Sequence, residues 1–118
     1  MFQHPSPVRI RIHSISGEFY AMGPGKADLL AAIQETGSIA AAGRKLGMSY
    51  QKTRHLVDEM NACFVSHVVE GFKGGAQQGG ASLTALGREA LERYLLMQQH
   101  AEQAVSEELQ AYNKLLAP

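Results

Sequence analysis

Between Val8 and His13 the chain alternates Val8, Ile10 and Ile12 with Arg9, Arg11 and His13. That period of two predicts a half-buried strand, expected to join a small sheet with a later hairpin. The rhythm then lengthens. GPGKADLLAAIQETG predicts a helix with Pro24 tolerated at its start, Leu29, Leu30 and Ile33 on one face and Gly37 at its end. In GSIAAAGRKLGMSYQKTRHLVDEMN, Ser38 is placed to cap a short helix through Leu46, and Ser49 to cap a second one. Gly47 between them supplies the left-handed exit that a sharp helix end favours, so only a turn fits there.

The two helices predict a close crossing. Ala42 and Gly43 are small enough for near contact, and Ile39, Leu46, Leu56, Val57 and Met60 form an apolar lining. The next segment, SHVVEGFKGGAQQGGASLT, has β-prone residues at Val68 and Val69 and a second candidate strand at Ala81 to Leu83. Its glycines predict a hairpin with a long flexible tip. From Thr84, a plausible cap, strong helix formers continue to about Leu116 as one long helix or two abutting ones. Leu91, Tyr94, Leu95, Ala101, Val105, Leu109, Tyr112 and Leu116 give it an apolar stripe that weakens at Gln98 and Gln99. Its first two turns are expected to pack on the domain, and the remainder on the same helix of a second subunit. A solvated tail is the alternative, although isolated helices are marginal.

The expected fold class is therefore mainly α with a small β wing: a winged helix-turn-helix over residues 1–84 and a dimerisation helix over 85–118. The polar start of the second helix of the pair carries the candidate chemistry. Tyr50, Gln51, Lys52, Arg54 and His55 occupy the turns that a helix-turn-helix presents to DNA. Arg54 and Gln51 are the candidates for base edges because both can bond bidentately. Ser38, Lys45, Lys52 and Lys73 are assigned to phosphates, which position without specifying. Ser49, Gln77 and Gln78 complete the candidate DNA-binding set. An ordinary αα corner with a solvated charged face is the plainer alternative.

These segments resemble the ModE-type molybdate-responsive transcription regulators, whose DNA-binding domain is a relative of the LysR-type winged helix. The resemblance rests on GSI at Gly37 to Ile39, SY at Ser49 and Tyr50, DEMN at Asp58 to Asn61, VVEG entering the glycine-rich wing, and LTALGREAL at Leu83 to Leu91. It covers roughly residues 26–94 and implies a homodimeric regulator that binds a palindromic operator near genes for molybdenum uptake or use. Full-length members continue into C-terminal molybdate-binding domains, for which 118 residues leave no room. Molybdate sensing at the family's usual site is therefore not expected, and any response to molybdate would be indirect. The family's wing tip is nearly all glycine around a lysine, whereas this chain has Ala76, Gln77 and Gln78 there and its charge at Lys73.

Composition fits one domain plus an extension, since 118 residues with 45% hydrophobic content build a single core. A net charge of zero hides an asymmetry. Residues 1–84 hold eight Lys and Arg against six Asp and Glu, giving +2, and residues 85–118 hold three against five, giving −2. The positive part is the one with the helix pair. A single cysteine excludes an internal disulfide framework and suits a reducing compartment; Cys63 is expected to be buried packing. No zinc site is expected from Cys63 and His67, because structural zinc wants four ligands. No run approaches the roughly 20 apolar residues of a membrane span, and no leader is visible, so a soluble, cytoplasmic protein without membrane contact is expected.

An enzyme is not expected. The glycine-rich stretch lacks the GxxxxGK[ST] order, there is no GxSxG or HExxH, and His4, His13, His55, His67 and His100 show no recurring ligand spacing. No cofactor is implied. The expected partners are duplex DNA and a second copy of the chain. The alternative is a small oxyanion-binding or storage protein whose glycine-rich loop offers backbone N–H groups to molybdate.

Overall fold

The computed structural model describes residues 6–74 and 77–118, with the side chains of residues 72–78 outside the described part. In chain order it contains β1 (Ile12–His13), β2 (Tyr20–Met22), α1 (Pro24–Thr36), α2 (Ile39–Lys45), α3 (Tyr50–Cys63), β3 (Val69–Gly74), β4 (Gln77–Leu83), α4 (Ala85–Ala104) and α5 (Ser106–Asn113). The boundaries follow local chemistry. Pro24 opens α1, and Gly37 closes it at φ 71° with its N–H on the Ile33 carbonyl. The Ser38 hydroxyl accepts from the Ala41 N–H, and the Ser49 hydroxyl from the Lys52 N–H. Between those caps Gly47 sits at φ 72°, the left-handed turn expected of it.

The three helices pack as a crossed bundle around Leu29, Leu30, Ile33, Ala42, Val57 and Met60, all at or below 1% exposure. Closeness at the crossing depends on Gly43, where a β-carbon would stand 2.2 Å from the Thr53 hydroxyl. The wing closes this core from one side. Val68, Val69, Ala81 and Leu83 are buried, and the Ala81 N–H bonds the Gly37 carbonyl at 2.9 Å.

The hairpin differs from its expected form. Its ladder continues from Val69↔Leu83 to Gly74↔Gln77, so strands replace most of the anticipated flexible tip. Few side chains stand in the way, and antiparallel pairing satisfies the backbone groups that a loop would leave to water. The N-terminal strand also departs from expectation. It alternates in exposure as predicted, yet only Ile12–His13 enters a ladder, with β2 and not with the wing. There are two separate two-stranded sheets among the described residues.

What competes for the N-terminal backbone is α4. Gln98 Oε1 accepts from the Ile10 N–H at 2.9 Å, Gln98 Nε2 donates to the Val8 carbonyl, and the Tyr94 hydroxyl donates to the Ile10 carbonyl at 2.9 Å. The stripe position that looked weak, Gln98, is thus 4% exposed and an anchor. Gly87, Leu91, Tyr94 and Gln98 pack inward along about three turns, further than the two expected. Thr84 caps α4 through the Gly87 N–H, and α5 is a separate short helix after a break at Val105. Beyond Gln98 the helices leave the core, and the radius of gyration, 16.2 Å, exceeds the roughly 13.5 Å of a compact chain this long.

Candidate nucleic-acid interface

The second helix of the pair, α3, buries Thr53, Val57 and Met60 and turns Tyr50, Gln51, Lys52, Arg54 and His55 outward. Tyr50 is 56% exposed, high for an aromatic side chain on an isolated domain. The five candidate reading residues therefore share the free side of one helix. Among the described residues, Lys52 makes no ion pair, whereas Arg54 Nε lies 3.4 Å from Asp58 Oδ1 and His55 Nε2 3.7 Å from Glu59 Oε2. Each of these two pairs spans a single helical turn.

The other candidates are distributed around that ridge. Ser38 and Ser49 spend a lone pair each on capping, so their first role is structural, with the hydroxyl proton still available for a phosphate oxygen. Lys45 is held by Glu35 of α1, whose carboxyl is pushed below its ordinary range by the Lys45 hydrogen bond and charge. Lys73, Gln77 and Gln78 lie in the wing strands, but their side chains fall outside the described residues.

Three features were not read from the sequence. Lys26, 1% exposed, reaches from α1 to Glu59 on α3 at 2.5 Å and to the Tyr20 carbonyl at 2.6 Å, with the Tyr20 ring 4.3 Å from its ammonium. A lysine in a helical pattern reads as solvated, and only the tertiary placement of Glu59 reveals it as a core strut. Asn61 donates to the Val69 carbonyl at 3.1 Å and accepts from Val68 and Val69 at 2.8 and 3.1 Å, fixing the wing's base to α3. Its place in the DEMN run was visible, its role was not. Third, Asp58 stands among the cations of the exposed ridge, a position the basic reading of this helix passed over.

A groove of about 470 Å³ separates α3 from the wing, lined by Arg54, Asp58, Asn61, His67 and Glu70 among others. Cys63, expected to be buried, is half-buried and free, because it falls in the last turn of α3 where the helix leaves the core. Among the described residues no group of three or more His, Cys, Asp or Glu is placed to hold a metal ion. No helix among them is long and apolar enough to cross a membrane.

No family model matches the chain. Known proteins similar to it include the molybdenum-pterin-binding protein MopB of Rhodobacter capsulatus, 42% identical over 73 residues, which are 62% of this chain and 27% of that protein. The transcriptional regulator ModE of Yersinia pestis is 33% identical over 97 residues, 80% of this chain and 37% of the regulator. The chain thus matches well under half the length of either relative. Among solved structures, the DNA-binding domain of CbnR in its complex with DNA superposes with a TM-score of 0.57 at 22% identity, covering 75% of this chain and 95% of that domain. In sequence the matched residues are ModE-like, and the fold is that of a winged helix.

Proposed function

We propose that this chain is a duplex-DNA-binding transcription regulator in molybdenum-related gene control, acting as a homodimer and not as an enzyme, in the cytoplasm. The observation that carries the reading is the outward ridge of α3, where Tyr50, Gln51, Lys52, Arg54 and His55 stand together beside a wing. An exposed helix edge of this kind suits a major groove, with Gln51 and Arg54 at base edges and Lys52 at phosphate. Lys73, Gln77 and Gln78 are assigned to the wing's contacts, and Ser38, Ser49 and Lys45 to phosphate on the flank. The sequence relationship to ModE regulators supports the gene context.

Residues 1–84 form the reading domain of this proposal, and 85–118 the arm that joins two copies. Leu95, Leu96, Met97, Tyr112 and Leu116 are each at least 42% exposed, which supports a partner for the arm. A dimer that neutralises about five phosphates should bind with a log–log salt slope near −4 to −5. Fluorescence anisotropy against duplexes recovered by genomic selection measures it. A flat slope, or no binding to any duplex at low salt, would remove the DNA reading.

The similarity to the molybdenum-pterin-binding protein MopB favours a second reading, oxyanion binding by the glycine-rich segment. Against it, Gly71 and Gly80 are partnered across the hairpin with Ala81 and Phe72, an extended pairing and not a concave nest. Calorimetric titration of this chain with molybdate, with sulfate as the control, should give no saturable heat. Selective micromolar binding would establish the second reading in place of this one.

A further inference from the structure

Arg54 and His55, in the middle of the α3 ridge, each have a carboxylate one turn below, Asp58 beneath Arg54 and Glu59 beneath His55. The two carboxylates differ in what answers their charge. Glu59 is 24% exposed and held from behind by the buried ammonium of Lys26. Asp58 is 58% exposed, and among the described residues its ion pair is with Arg54 alone. Stability gives little reason for it, because an exposed pair one helical turn apart contributes almost nothing to folding. Affinity for DNA gives a reason against it, since a carboxylate on a surface that meets phosphates repels them.

We infer that Asp58 is a specificity-determining residue that acts through Arg54, an inference resting on the DNA-reading function proposed above. Its carboxylate engages Arg54 on the Nε side at 3.4 Å. That leaves the two terminal guanidinium nitrogens as a free fork, the edge that bonds guanine O6 and N7 together. On a matching base pair Arg54 meets the base with a side chain already restrained, and the pair's charges stay balanced. On any other sequence the fork finds no base, Arg54 stays with Asp58 and is withheld from phosphates, and the carboxylate adds repulsion. Asp58 thereby lowers binding to unrelated DNA more than binding to the operator. As a positioning residue it need not touch a base itself.

The test uses the full chain and a duplex recovered by selection, beside a scrambled duplex of equal length. Asp58→Ala and Asp58→Asn are expected to raise affinity for the scrambled duplex several-fold and to reduce the ratio of specific to scrambled binding by a similar factor. They should also relax base preference at one position of the site. In an Arg54→Ala background the same substitutions should leave base preference unchanged, because no fork remains to be restrained. An unaltered ratio and preference in Asp58→Ala, or an equal change with and without Arg54, would overturn the inference while leaving wild-type DNA binding intact. Failure of the wild-type chain to bind any duplex would overturn the underlying function as well. Circular dichroism melts confirm folding of each variant, for which exposure of both side chains gives no obstacle.

Discussion

Among the described residues two glycines set the tightest tolerances, and they differ in what stands opposite. At Gly43 a β-carbon would meet the Thr53 hydroxyl at 2.2 Å, but at Gly87 it would meet the Val68 backbone carbonyl at 2.0 Å. A side chain can rotate aside, whereas backbone at the base of the wing cannot. Helix propensity favours alanine by about 1 kcal/mol at either site, against an overpacking cost of about 1–3 kcal/mol. Urea denaturation should therefore show Gly87→Ala destabilised by roughly 2 kcal/mol or more, and Gly43→Ala by less. Adding Thr53→Ala should recover part of the Gly43→Ala loss. The small residues at the crossing were legible in the sequence because Ala42 and Gly43 sit mid-helix with no turn to explain them. Gly87 was not, since its neighbour, Val68, lies 19 positions earlier, just before β3. Lys26 was hidden for a similar reason: its ammonium is compensated by Glu59, 33 residues away. Lys26→Ala should cost about 2–4 kcal/mol in the same assay, as the loss of one member of a largely buried pair does.

The elements most readable in advance were those with local signals. Serine and threonine caps, a proline start and left-handed glycines gave α1, α2, α3 and the start of α4 to within a residue or two. The N-terminal strand was misassigned in its pairing because Gln98, a polar interruption in an apolar stripe, takes over backbone groups that a ladder would use. Gln98→Leu should accelerate amide exchange at Ile10 and destabilise the fold by about 1–3 kcal/mol, the cost of leaving buried backbone groups unpaired. The same tether is bounded in pH. The Gln98 hydrogen bond, with Ser6, lowers the Glu102 carboxyl below its ordinary 4.5, so its contribution is present above that value and lost as pH falls through the lowered one. Burial, with the Asp28 charge, raises the Tyr94 phenol above its ordinary 10, so its contribution is present below 10 and lost as pH rises through the raised value. Ultraviolet titration should find a phenol ionising above 10 that is lost in Tyr94→Phe.

The whole molecule measures 57 × 31 × 22 Å, a globular head with an arm. If that arm joins two copies, removal of residues 106–118, which spares Gln98, should weaken dimerisation in sedimentation while the head keeps its melting profile. Loss of binding to a two-half-site duplex should then exceed the loss on a single half-site. The surface proposed to meet DNA was half legible: five outward residues on α3 follow from helical spacing, but the Asp58 and Glu59 partners follow only from knowing which turn is solvated and which is braced by Lys26. The clamp between α4 and the N-terminal strand also bears on the order of assembly. Its hydrogen bonds join residues 84 to 90 positions apart, whereas α2 and α3 meet across a four-residue turn. Closing the longer loop costs more chain entropy before any contact rewards it, so the helix pair can form while Val8 and Ile10 still wait for residue 98 to be synthesised. Substitution at Gln98 should then quicken unfolding in stopped-flow measurements and leave the folding rate nearly untouched.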